Sequence, residues 1–142
     1  MVSESGEVRC GRPFRLPAAA ALRLVACFPE SAPAGRQSVE GNVEITGGEP
    51  MRGVAAGAAD VFLVGEGRVV TMPVVQDAIG IRWVVAAGEA RKLPAVASLL
   101  SCEPAGGRLA PGVYDLYARV VVTADDGEPQ TFFGGPWPLR VR

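Results

Sequence analysis

Across SVEGNVEIT, residues 38–46, apolar and polar side chains alternate: Val39, Val43 and Ile45 share one face, and Glu40, Asn42 and Glu44 the other. A period of two marks a half-buried β-strand, because successive side chains of an extended chain point to opposite sides. The pattern recurs. LRLVACF (22–28), VFLV (61–64), RVVTM (68–72), IGIRWVV (79–85), KLPAVASLL (92–100), VYDLYARVVVT (113–123) and TFF (131–133) are short apolar runs, with MRGVAAGA (51–58) a weaker one. Within them Ile79, Ile81, Trp83 and Val85 form one row, and Tyr114, Leu116, Ala118 and Val120 another. Glycine and proline punctuate these runs, and Gly65-Glu66-Gly67 between two β-branched runs reads as a hairpin loop. No stretch sustains a stripe of helical period. The pattern therefore predicts an all-β chain of about eight or nine strands in one antiparallel sandwich. It spans 1–142 as a single domain, with a less regular N-terminal segment over 1–21 and longer loops at 29–37 and 103–112.

Composition narrows the function more than the fold. The 142 residues suit one domain. A domain of this size buries about two-thirds of its unfolded surface. A net charge of −1 supplies no general pull toward nucleic acid or anionic membranes. Histidine is absent altogether. That removes the commonest general base and metal ligand, and with them Cys/His zinc sites and Ser-His-Asp or Cys-His catalysis. Gly65-Glu66-Gly67 lacks the lysine and following helix of a phosphate loop. Asp125-Asp126-Gly127-Glu128 offers carboxylates to a hard cation, but its spacing is that of a turn and not of an EF-hand. The expectation is a non-enzyme with no cofactor and no metal.

Two features bear on location. Leu24-Val25-Ala26-Cys27 matches the lipobox of bacterial lipoproteins, and Arg9, Arg12 and Arg15 precede it. Arg23 inside the apolar stretch, and Glu4 and Glu7 before it, oppose an export signal, so the strand reading prevails. No apolar run approaches the roughly 18 residues of a membrane span. The three cysteines, Cys10, Cys27 and Cys102, cannot all pair within one chain. Either one disulfide forms, or all three stay reduced as small hydrophobes.

LAPGVYDLYARV (109–120) is the most informative stretch. Its Leu-x-Pro-Gly-x-Tyr lead-in to a strand resembles the tyrosine corner of immunoglobulin-like sandwiches, where a tyrosine hydroxyl bonds backbone a few residues upstream. Tyr114 matches that role. Leu116 stands where antibody domains carry a core cysteine, and Trp83 falls later than their usual tryptophan, so the likeness is of architecture. Together with GGPWPLRV, the stretch is similar to small immunoglobulin-like domains of bacterial secreted and envelope proteins, over about residues 38–142 plus Cys10. A looser similarity is to the bacterial intracellular proteinase inhibitors. Cys10-Gly11 and Cys102 match cysteines of the former family, which implies a Cys10–Cys102 disulfide with Cys27 left as a buried free thiol. The closed loop of about 90 residues would contribute at most about 4 kcal/mol.

This resemblance implies a non-enzymatic module that contacts another protein, outside the cell or in its envelope, as a monomer or weak homo-oligomer. A proteinase inhibitor working through an exposed loop is the alternative, and a carbohydrate-binding module the second. The cytoplasm is the alternative location, given the spoiled signal. Tyr117 beside Arg119 forms a candidate binding surface, since exposed Tyr and Arg are enriched at binding hot spots. Trp83, Tyr114 and Trp137 are expected to be structural. In GGPWPLRVR, Pro136 and Pro138 remove donors from one lateral side, which suits an edge strand. Trp137, Leu139 and Val141 then point inward, with Trp137 largely buried and its indole N–H bonded.

Overall fold

In the computed structural model, residues 7–17, 22–33, 35–47, 51–74, 80–85, 89–125 and 127–142 are described. Among them the chain forms twelve β-strands and no helix: β1 (Leu22–Cys27), β2 (Ser31–Ala32), β3 (Ser38–Gly47), β4 (Met51–Ala56), β5 (Asp60–Gly65), β6 (Arg68–Val69), β7 (Gly80–Val85), β8 (Ala90–Ser98), β9 (Leu100–Cys102), β10 (Ala105–Arg108), β11 (Gly112–Ala124) and β12 (Pro129–Val141). A three-stranded sheet has the order β1-β3-β8, and a seven-stranded sheet runs β2-β12-β11-β4-β7 with β5 and β6 joined beside β11. β9 and β10 form a separate hairpin. Pairing is antiparallel throughout except between β2 and β12.

β11 organises the larger sheet because its length gives it two partners on one side. Asp115–Arg119 pairs with β5, and Val122–Ala124 pairs with β4. Between these two stretches Ala59 turns away, and its N–H bonds the Pro94 carbonyl of β8 at 3.0 Å. That bond ties the two sheets together at a backbone level. Its other side pairs with β12, where Leu116 faces Trp137 but Ala118 faces Gly134. β12 thus carries one extra residue, a β-bulge. Gly135 occupies it with φ 122°, and a Cβ there would lie 2.8 Å from the Leu116 carbonyl oxygen, so only glycine fits.

The two sheets face each other across one aliphatic core. Leu24, Val43, Ile45 and Leu93 come from the small sheet, and Leu63, Leu116, Val120 and Leu139 from the large one, all buried. These are the alternate positions of their strands, as period two requires. Each such side chain stabilises the fold by about 1.5–3 kcal/mol relative to exposure. β5 departs from the rule: Val61, Phe62, Leu63 and Val64 are all buried. Phe62 and Val64 point to the outer face, where Val8, Phe14, Met72, Tyr117 and Phe133 pack on them with Val69.

Several expectations need correction. The strand count rises to twelve among the described residues because β2 and β10 form inside the expected loops 29–37 and 103–112, and because the expected run 92–100 is broken at Leu99 into β8 and β9. The expected strand over 68–72 ends after Val69. There the Leu63 N–H donates to the Thr71 hydroxyl at 2.9 Å while the Val70 and Thr71 N–H groups converge on the Leu63 carbonyl, so the regular ladder ends. Cys27 is exposed, not buried. Leu22 and Leu24 set the inward parity of β1, and Cys27 falls on the opposite parity with Arg23 and Val25. Nor is β12 an edge strand at its end. Arg140 and Val141 pair in parallel with Ser31 and Ala32, downstream of both prolines. No helix among the described residues is long and apolar enough to cross a membrane.

Candidate functional site

Three segments distant in sequence converge beside β6. The N-terminal segment lies along it without forming a strand: the Gly11 N–H bonds the Val69 carbonyl at 2.8 Å, and the Val69 N–H bonds the Arg12 carbonyl at 2.9 Å. The β9–β10 hairpin approaches next to it, with the Cys102 N–H donating to the Val70 carbonyl at 2.9 Å. These backbone bonds bring Cys10 and Cys102 together. The disulfide expected from the family resemblance is present, across 92 residues of chain and a Cα–Cα distance of 6.0 Å. Gly11 has φ 75°, and the Glu103 carboxylate lies 2.6 Å from where its Cβ would be, so a side chain here would displace Glu103.

The convergence leaves an open groove of about 610 Å³, walled by the disulfide, Arg12, Glu66, Arg68 and Glu103 over the backbone of Gly65 and Val70. The Arg68 guanidinium donates to the Gly11 carbonyl at 3.4 Å, which steadies one wall. All four charged side chains are exposed. Two guanidinium groups and two carboxylates in one concavity suit a surface carrying charges of both signs. Such an arrangement orients a partner and rejects like-charged ones more than it supplies raw affinity.

Tyr114 supports the groove from below. Its ring lies against Gly65, where a Cβ would come within 2.9 Å of Cε1, and its hydroxyl donates to the Ala110 carbonyl at 2.6 Å. That bond pins the segment joining β10 to β11. Burial, then the charge of Glu66, raises the Tyr114 pKa above its usual 10.0.

The other sequence-derived residues fall elsewhere. Tyr117 lies on the outer face as its parity requires, but half-buried, stacked on Phe62 at 5.7 Å between centroids and met edge-on by Phe14 at 4.7 Å. Burial, then the charge of Asp115, raises its pKa. Arg119 donates from Nε and Nη2 to Oδ2 of Asp60, at 3.2 and 3.0 Å. The surface expected from these two residues is thus engaged within the chain. Trp137 is half-buried against the aliphatic core and points with Leu139 and Val141, but no described residue accepts from its indole N–H. Trp83 is paired with Gly53 in β7, and its side chain lies outside the described residues. Asp126 is also outside them, while the Gly127 N–H bonds the Ala124 carbonyl at 3.2 Å and the Asp125 N–H bonds the Arg52 carbonyl at 3.3 Å.

The two segments expected as longer loops, 29–37 and 103–112, both border hollows. Loop 29–37 shapes a smaller one of about 320 Å³ with Pro29, Pro33, Arg36 and Glu40 on its walls. Sequence reasoning missed Arg12, Glu66 and Arg68 as neighbours. The hairpin turn at Glu66 was visible, but nothing in the sequence says which remote segment lies along it. Arg12 read as a leader charge.

No protein-family model and no curated protein sequence matches this chain. Among solved structures, the sporulation control protein Spo0M of Bacillus subtilis is similar at a TM-score of 0.41 and 12% identity, over 87% of this chain and 50% of that one. A β-glucosidase of Listeria innocua in complex with glucose gives a TM-score of 0.39 and 15% identity, over 84% of this chain and 16% of that one. A mutant of that enzyme in complex with laminaribiose gives 0.40 and 15%, over 85% and 16%. The chain thus spans half the length of Spo0M and a sixth of the glucosidases.

Proposed function

We propose that this chain is a non-enzymatic, immunoglobulin-like β-sandwich module that binds another protein in the bacterial cell envelope through the groove beside the Cys10–Cys102 disulfide. The observation that carries this reading is the convergence of three remote segments on one open concavity holding Arg12, Glu66, Arg68 and Glu103. Loops braced by a rigid sheet are where such scaffolds place recognition, and exposed arginines are frequent hot spots. The Tyr114 hydroxyl bond to the Ala110 carbonyl supports the immunoglobulin-like reading, since it has the form of a tyrosine corner. A disulfide supports an oxidising compartment, where such bonds persist.

Affinity capture from a bacterial envelope fraction tests the proposal, using wild type and the double variant Arg12→Glu/Arg68→Glu as baits. A protein retained by the wild type and reduced at least tenfold by charge reversal is the expected result. Equal retention by both baits, with loss on a third bait, Tyr117→Ala, would move the site away from the groove. A serine protease retained and inhibited there would recast the surface as an inhibitor's. Retention of a glycan in place of a protein would favour the carbohydrate-binding reading.

A further inference from the structure

The outer aromatic cluster has an unusual lid. Phe62 points away from the aliphatic core yet is 0% exposed, and Val64 beside it is 6% exposed. Part of that cover is the N-terminal segment, which crosses the outer face as a strap. Phe14 anchors it, with ring centroids 4.9 Å from Phe62, 4.7 Å from Tyr117 and 5.4 Å from Phe133. Val8 packs at its other end. Between them lie the paired bonds of Gly11 and Arg12 with Val69, the bridge of Pro13 to Arg68, and the disulfide. Arg9, Arg12, Pro13 and Arg15 are exposed, so the strap's far face meets solvent. It takes no part in the ladders between β11, β12, β4 and β5.

We propose that the Cys10–Cys102 disulfide is a redox latch on this strap, and that its two-electron reduction by a thiol uncovers the Phe62–Tyr117–Phe133 surface while the two-sheet core stays folded. The occupant of that surface in the oxidised state is the chain's own segment from Val8 to Phe14. The bridge itself lines the open groove, so a small thiol reaches it. The reductant thiolate attacks one sulfur of the bridge, forming a mixed disulfide and releasing the other cysteine. A second thiol of the reductant then displaces the first cysteine. The reductant leaves as its own disulfide, and Cys10 and Cys102 retain the two electrons and take up two protons. Cys102 stays placed by its N–H bond to Val70, whereas Cys10 loses its cross-link to the β9–β10 hairpin. The strap is then held by one short ladder, the Arg68 bond to the Gly11 carbonyl and the packing of Val8 and Phe14, the low-stability end of the structure.

Hydrogen exchange on the full chain, oxidised and in dithiothreitol, tests this without any binding partner, so it stands or falls apart from the groove's role in recognition. Reduction should speed exchange of the Gly11 and Val69 amides at least tenfold and raise the fluorescence of anilinonaphthalene sulfonate. Amides of β3 and β11 should keep their protection, and reoxidation should restore the strap. The double variant Cys10→Ser/Cys102→Ser should behave as the reduced protein with no reductant present. Unchanged exchange at Gly11 and Val69, both in the reduced protein and in the variant, would overturn the latch. Loss of protection throughout β11 would overturn it too, by showing that the bridge holds the whole domain.

Discussion

The inner and outer clusters share β5 and β11 but are built on different principles. Between the sheets lie Val, Leu, Ile and Ala with Phe132, nearly all supplied by alternation along a paired strand. Outside, the rings of Phe14, Phe62, Tyr117 and Phe133 meet from four separate segments, and one of these is not a strand at all. Strand pairing fixes the inner cluster automatically: once β11 is in register, Leu116, Ala118, Val120 and Val122 all face the core. The outer cluster exists only if the N-terminal segment comes back to cover it. A sheet face buried by its own partner sheet defines the fold, and one buried by a strap defines which surface the fold presents.

The largest effect expected from this contrast is at Leu116, which is 1% exposed and faces Leu63 and Trp137 across its two neighbouring strands. Leu116→Ala should cost about 3–4 kcal/mol, the transfer of the side chain plus the cavity it leaves. Urea unfolding should show the midpoint fall with the slope unchanged, as for a single cooperative unit. A loss under about 1 kcal/mol would show that the inner cluster repacks freely. The contrast between the clusters would then fail.

Phe14→Ala should cost less, about 2 kcal/mol, because the ring is half-buried and its aromatic contacts add only about 0.5–1.5 kcal/mol each. Its mark should also be local. In the oxidised protein, dye binding and exchange at Gly11 should rise while β3 remains protected. If Phe14→Ala instead matched Leu116→Ala in global cost, the aromatic cluster would be a second core and not a lid.

How legible each cluster was in the sequence follows from the same distinction. Val39, Val43 and Ile45 announce their face by alternation, and the structure buries all three. Tyr114 was placed by a local lead-in whose hydroxyl bond spans four residues. Cys27 misled because LVACF is apolar at successive positions; the parity is carried upstream by Arg23, whose exposed face Cys27 shares. Phe62 was hidden for a related reason, since a run buried on both faces carries no period. Thr71 ended β6 by capturing the Leu63 N–H, a competition between side chain and backbone that propensity does not register. The groove was half legible. Its disulfide came from a family resemblance and its hairpin from a glycine-bearing turn, but Arg12 is brought beside Arg68 by long-range backbone pairing of Gly11, Arg12 and Pro13 with β6.

The two tyrosines of β11 give the finest version of the comparison, one on each face of the same strand. Tyr114 uses its hydroxyl on the Ala110 carbonyl, whereas no described residue bonds the hydroxyl of Tyr117. At neutral pH Tyr114→Phe should therefore cost about 1 kcal/mol, and Tyr117→Phe should stay within about 0.5 kcal/mol of wild type. Alkali separates them differently. Both pKa values are raised in the folded state, first by burial and then by Glu66 for Tyr114 or Asp115 for Tyr117. A raised folded pKa favours the neutral phenol in the native state, so its stabilising contribution is complete below the unfolded value of about 10. It is then lost as pH climbs through the folded value. Stability measured from pH 8 upward should thus fall for the wild type and fall less for each variant. Tyr117→Phe should show only this alkaline difference, with nothing lost at pH 7. If Tyr117→Phe were instead costly at neutral pH and unchanged in alkali, its hydroxyl would be bonded, and its place in the outer cluster would rest on more than ring packing.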